Sequence, residues 1–225
     1  MAQPEEQRPD DPGNPLFDPA QDVVTDAVAL AAMAHPLRLR LLGLLRRWGP
    51  STASRLAARL GESSGLTSYH LRQLAASGFV TDASPDDLAH VEQSGGRERW
   101  WKAARRSTYT GPAPAGDDEA AAVSADYQRA VLAAYTDNAK NWLAVEHTWP
   151  KSWQDTSNFS DLTLQLTLDE ARRLSDEIAA LLARYRRADP TSRPGTGDVP
   201  ADSVAFAAQY LLFPQPDQDP PGGTP

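Results

Sequence analysis

Two short helical segments with only a few residues between them constrain this chain most. Thr52 to Leu60 reads as one helix, with Ser51 as its N-cap and Gly61 just past its end. A second helix opens at Ser63 or Ser64 and runs to Ser77-Gly78. A serine before a helix accepts a hydrogen bond from an otherwise orphaned amide, and a glycine after one takes the left-handed cap without a Cβ penalty. Another helix comes before this pair. Pro36 suits a first turn, Leu37, Leu41, Leu44, Leu45 and Trp48 share one stripe, and Gly49-Pro50 stops it. Asp22 to Ala34 reads as the helix at the start of the module.

Helices joined by so short a glycine-containing turn have the spacing of a helix-turn-helix. After them come Phe79-Val80-Thr81, a turn at Ser84-Pro85-Asp86-Asp87, and the segments Leu88 to Glu92 and Arg97 to Ala103 on either side of Gly95-Gly96. Those last two segments predict a β-hairpin. Helices followed by a hairpin make the plan of a winged helix, here over residues 21–107.

The rest of the chain divides by composition. Residues 1–20 and 214–225 are rich in proline and poor in apolar residues, so both read as disordered. Asp118 to Glu146 predicts one long helix, with Val123, Tyr127, Val131, Tyr135, Trp142 and Leu143 at helical spacing. Leu162, Leu164 and Leu166 alternate as in a strand, and Thr167 with Glu170 forms a capping-box pattern. The helix this box opens puts Leu174, Ile178, Leu181, Leu182 and Tyr185 on one face. Val204, Phe206, Ala208, Tyr210 and Leu212 alternate as a second strand, and Thr191 to Pro200 reads as a loop. The fold class is therefore α+β and mainly helical, with residues 117–213 forming the long helix and a small α-β-α-β unit for dimerisation or effector binding. The first helix and the long helix carry more apolar surface than a small winged helix needs, which predicts that they pair across a two-fold axis.

Composition removes several function classes. The chain has no cysteine, so thiolate catalysis, disulfides and soft-metal thiolate sites are out. His35, His70, His90 and His147 show no metal-ligand spacing, and no phosphate loop or nucleophile motif is present, so neither metal, cofactor nor enzyme is expected. The polar, acidic start is no secretory signal and no stretch nears about 20 apolar residues, so the expected location is cytoplasmic. The net charge of -8 is unevenly spread. Between His35 and Arg106, twelve basic residues face six acidic ones, a net +6 inside a chain that is otherwise -14. A locally basic module is the electrostatic footprint of a nucleic-acid binder.

Three motifs in order carry a family resemblance: His35-Pro36-Leu37-Arg38-Leu39-Arg40-Leu41-Leu42; Thr67-Ser68-Tyr69-His70-Leu71-Arg72-Gln73-Leu74 with Gly78-Phe79-Val80; and Gly96-Arg97-Glu98-Arg99-Trp100-Trp101. Together they resemble the ArsR/SmtB-type winged-helix repressors over about Val24 to Ala103. The long C-terminal half is similar to the larger actinobacterial-type members. The resemblance implies a homodimeric repressor on double-stranded DNA with an inverted-repeat operator. Metal sensors of that family often carry a cysteine pair on the helix before the recognition helix, where this chain has Leu56-Ala57-Ala58-Arg59-Leu60, so soft-metal sensing does not carry over.

The candidate DNA contacts follow from this plan. On the recognition helix they are Ser63, Ser64, Gly65, Ser68, Tyr69 and Arg72, on the side away from Thr67, Leu71 and Leu74. Ser51 and Thr52 mark a helix N-terminus suited to phosphate, and Arg97 and Arg99 suit backbone or minor-groove contact from the wing. His70 borders the inner stripe and reads as structural. Tyr127, Tyr135, Trp142, Trp149 and Trp153, with Asn138, Asn141 and His147, read either as an effector pocket or as ordinary core. The release signal is then a small molecule or temperature. The alternative function is a protein-interaction adaptor whose winged helix reads no DNA.

Overall fold

The computed structural model describes residues 15–25, 27–89, 91, 98–111, 113–185 and 199–217. Strand β1 (Asp22–Thr25) pairs in parallel with β5 (Ser107–Thr110), from Asp22↔Ser107 to Thr25↔Thr110. The helix expected from Asp22 starts only at α1 (Ala27–Met33). Val23, Val24 and Thr25 are β-branched, and their stiff side chains favour the strand once β5 offers a partner. This pairing also orders what precedes it. The Phe17 ring meets Tyr109 edge-on at 5.4 Å, and the Tyr109 hydroxyl donates to the Leu16 carbonyl at 2.9 Å. The disorder expected for residues 1–20 is thereby corrected for 15–20, while 1–14 lie outside the described residues.

Helices α2 (Pro36–Trp48), α3 (Ala53–Leu60) and α4 (Ser64–Ala76) follow the expected spacing. Gly61 ends α3 at φ 69°, a left-handed cap open to glycine at no steric cost. Met33, Leu37, Leu41, Leu42, Leu45, Leu56, Leu71, Leu74, Phe79, Val80 and Trp101 form one buried cluster. Each such side chain contributes about 1.5–3 kcal/mol of transfer free energy against the entropy of ordering the chain. Trp48, expected on the inner stripe of α2, is 59% exposed. The buried residue at that end is Gly49, and the Arg59 guanidinium lies 5.2 Å over the Trp48 ring.

A three-stranded sheet in the order β2-β4-β3 closes the module, from β2 (Ser51–Thr52), β3 (Val80–Asp82) and β4 (Trp100–Ala103). β4 pairs antiparallel with both β2 and β3; of the expected strand Leu88 to Glu92, Leu88, Ala89 and Val91 form no strand, and His90 and Glu92 lie outside the described residues. Asp86–Leu88 is instead a single 3-10 turn. Asp87 reaches back to accept from the Ser84 amide and hydroxyl at 2.7 and 2.6 Å, which closes the turn expected at Ser84 to Asp87. Trp101 is 2% exposed, the core-facing member of the tryptophan pair.

Helix α5 (Asp118–Val145) starts at Asp117, whose carboxylate accepts from the Ala120 amide at 2.9 Å. It packs along α1 and α2, burying Ala120 and Ala130 and setting Val123 and Tyr127 against the core. The two helices expected to meet a partner thus also touch each other within one chain, while Leu132, Leu143 and Val145 of α5 stay exposed. Beyond α6 (Lys151–Gln154), the capping box predicted for α7 (Leu168–Ala183) is formed in both directions between Thr167 and Glu170. The expected strands at Leu162–Leu166 and Val204–Leu212 are not: neither pairs with any described strand, and all these residues are exposed. A small α-β-α-β unit is therefore absent among the described residues, because an alternating segment becomes a strand only when a partner supplies hydrogen bonds. Among the described residues no helix is long and apolar enough to cross a membrane.

Candidate nucleic-acid interface

Helix α4 is built to show one face and bury the other. The Ser63 hydroxyl accepts from the Leu66 amide at 3.2 Å and fixes the first turn. Thr67, His70, Leu71 and Leu74 are buried. Ser64, Gly65, Tyr69 and Arg72 are exposed on the outer side, with Ser68 half-buried between them. Arg72 makes no ion pair among the described residues, so its fork of donors faces solvent. Gln73, also exposed, was missed by the sequence reading; tracing every residue off the inner stripe would have found it.

The first turn of α3, the middle of α4 and the base of the wing enclose a cleft of about 250 Å³ lined by Thr52, Ala53, Ser54, Ser68, Arg72, Glu98, Arg99 and Trp101. Thr52, not Ser51, is the N-cap of α3: its hydroxyl accepts from the Arg55 amide at 3.3 Å, and the residue is 1% exposed. Thr52 therefore spends its hydroxyl on the cap of α3, and Ser51 pairs with Trp101 in the sheet beside the same helix N-terminus. Ser54, exposed on the same turn, adds an outward hydroxyl. Arg99 donates from Nε and Nη2 to the two carboxylate oxygens of Asp82 at 2.6 and 3.1 Å, with its guanidinium 3.8 Å over the Trp101 ring. That bond holds the Asp82 carboxyl below its usual range and raises Arg99. Arg97 and the wing tip lie outside the described residues.

A helix-turn-helix domain family model matches residues 33–83. That segment is similar to a helix-turn-helix domain. A solved homodimeric winged helix-turn-helix DNA-binding domain from Mycobacterium bovis, described as a possible ArsR-family transcriptional regulator, is similar at 20% identity. The likeness covers 49% of this chain and 79% of that one, at a TM-score of 0.27. A score that low carries no weight for arrangement, and the winged-helix assignment rests on the strand pairing described above. No curated protein matches the chain.

Much of the positive charge of the helix-turn-helix domain and its wing fastens the fold. Arg46 donates to the Arg105 carbonyl at 3.0 Å and to the Thr108 hydroxyl at 2.7 Å, and Arg47 to the Asn138 side chain at 3.2 Å. Arg40 lies 4.0 Å from Asp137, Arg106 3.5 Å from buried Asp22, and Lys102 2.7 Å from Asp87. Arg55 stacks over Trp100 at 4.7 Å. These groups still add to the long-range potential, but Arg72 is the recognition-helix cation directed outward.

His70 joins the domain's two halves. Its ring lies 4.4 Å from that of His35, whose Nδ1 accepts from the Leu37 amide at 3.2 Å to cap α2. Burial lowers both imidazoles below the ordinary histidine range; nearby Arg38 lowers both further. His70 is 6% exposed, as a structural residue should be, and its Nδ1 finds no hydrogen-bond partner among the described residues.

The five aromatics read as a pocket do not converge. Tyr127 and Trp142 stand about 22 Å apart along α5 at 1.5 Å per residue, too far to line one small-ligand site. Tyr127 packs on the module core, and Tyr135 lies near Tyr210. Trp142, Trp149 and Trp153 form a separate edge-to-face chain at 5.5 and 6.5 Å.

Proposed function

We propose that this chain is a sequence-specific regulator of transcription that reads double-stranded DNA as a homodimer and represses until a signal acts on its C-terminal region. One observation carries the reading: α4 buries Thr67, His70, Leu71 and Leu74 while turning Gly65, Ser68, Tyr69 and Arg72 outward beside the wing. A helix so exposed fits the major groove, where Arg72 can take a guanine bidentately. Two such helices about 34 Å apart would read an inverted repeat. Helix α5 packs on both α1 and α2, a route by which a ligand or heat acting on the C-terminal half can reach the reading head.

The test is binding of the full chain to genomically selected DNA and to random duplex at moderate salt. Tighter binding to the selected DNA, relaxed by Arg72→Ala, is the expected outcome; equal affinity for both sinks the reading. One observation favours a protein adaptor instead: Arg99 is locked on Asp82 and Trp101. Equal affinities would turn the assignment toward that alternative.

A further inference from the structure

The C-terminal arm leaves its apolar side chains in water. Leu162, Leu164 and Leu166 are 79%, 55% and 43% exposed, and α7 has no buried residue. Along Asp161 to Leu166 no backbone group bonds to another described residue. Alternating leucines whose backbone groups are open to solvent offer a strand edge to a partner.

The segment itself says which partner. Leu162-Thr163-Leu164-Gln165-Leu166-Thr167-Leu168 reads identically in both directions about Gln165 and carries no charge. An antiparallel pair across a two-fold axis at Gln165 sets Leu164 against the partner subunit's Leu166, and Thr163 against the partner subunit's Thr167. Leucine meets leucine and threonine meets threonine, both favourable cross-strand pairs, while no charge meets its own copy. The charge-free segment offers nothing to a polyanion, so DNA is not its occupant.

We propose that a second copy of this chain covers the arm, with the Thr163–Thr167 segments of two copies paired antiparallel about Gln165 and the apolar face of α7 closing over the shared strands. This rests on the dimer reading above and gives it a seat.

The absence of native cysteine allows a clean test in the full chain. At the axis, Cα atoms of opposed residues lie about 4.5–5.5 Å apart, within disulfide reach. Gln165→Cys should cross-link two copies on mild oxidation. Thr163→Cys, whose counterpart would lie about 13 Å away, should not. Hydrogen exchange of the 161–167 amides should slow at least tenfold as concentration rises through dimer formation, and Leu164→Asp should weaken association at least tenfold by sedimentation. A dimer with fast-exchanging arm amides and no Gln165→Cys cross-link overturns the arm pairing and leaves the dimer reading intact. A monomer at tens of micromolar overturns both, while DNA titration still judges the reading head separately. Amides protected equally in dilute monomer overturn the second copy in favour of the chain's own fold.

Discussion

The winged helix and the C-terminal arm use the same apolar alphabet with opposite results. Leu71, in the module, is 0% exposed, whereas Leu162, in the arm, is 79% exposed. The module closes on itself because helices and a short sheet approach from several directions and bury a shared cluster. The arm has one amphipathic helix between two alternating segments, too little to enclose a core of its own. Apolar pattern alone thus does not say whether a side chain is buried within its own chain or kept for another.

The largest effect that could break this contrast is a pair of leucine truncations. Leu71→Ala should destabilise the chain by about 2–5 kcal/mol, because it leaves a cavity in a packed core. Leu164→Ala, measured by denaturant unfolding in dilute monomer, should stay within about 0.5 kcal/mol. Comparable costs at the two sites would mean that the arm folds onto its own chain.

Arg72→Ala comes next. It should cost about 1–3 kcal/mol of affinity for the selected DNA and relax base preference, with unfolding unchanged, by fluorescence anisotropy and denaturation together. A similar DNA loss on changing the charge-free arm would erase the division of labour.

Smaller effects lie within the module. Asp87 accepts from Lys102 and Ser84, which pull its carboxyl down to about 2. A depressed carboxylate contributes stability above its unfolded value near 3.8 that is lost as pH falls from there toward 2. Asp87→Asn should therefore remove about 1 kcal/mol at neutral pH, discounted for partial exposure, and flatten that acid limb in a pH series of unfolding curves. The histidine pair runs on a different range. His35 and His70 resist protonation in the folded state, so above pH 6.5 they impose no penalty. Below pH 6.5 the unfolded chain gains protons that the folded chain does not, and stability falls toward the lowered folded values. His70→Gln should make that fall shallower between pH 7.5 and 5.5. An unchanged slope would show that the buried ring pair is not its source.

Local signals made much of the module legible. Pro36, Gly49, Gly61 and Ser63 mark helix ends by backbone rules that act within a few residues, and the helices begin and end there. The outer face of α4 followed from counting positions around a helix. The errors came where a distant partner decides. Asp22 to Thr25 became a strand because β5 lies alongside, and β4 found β3, which precedes the Ser84–Asp87 turn, as a partner. Thr52 is the N-cap that the reading gave to Ser51, and Arg99 is paired because Asp82 arrives from β3.

By itself the sequence determined the helix-turn-helix spacing, the outward Arg72, the long helix after Asp117 and the Thr167–Glu170 box, since each depends on neighbours within a turn or two. Only the tertiary structure decided that α1 packs along α5, that Tyr127 lies on the module core apart from the Trp142, Trp149 and Trp153 cluster, and that the leucines of 162–166 stay uncovered. Burial and strand pairing are relations between distant segments, and a periodic pattern records a face without recording what it faces.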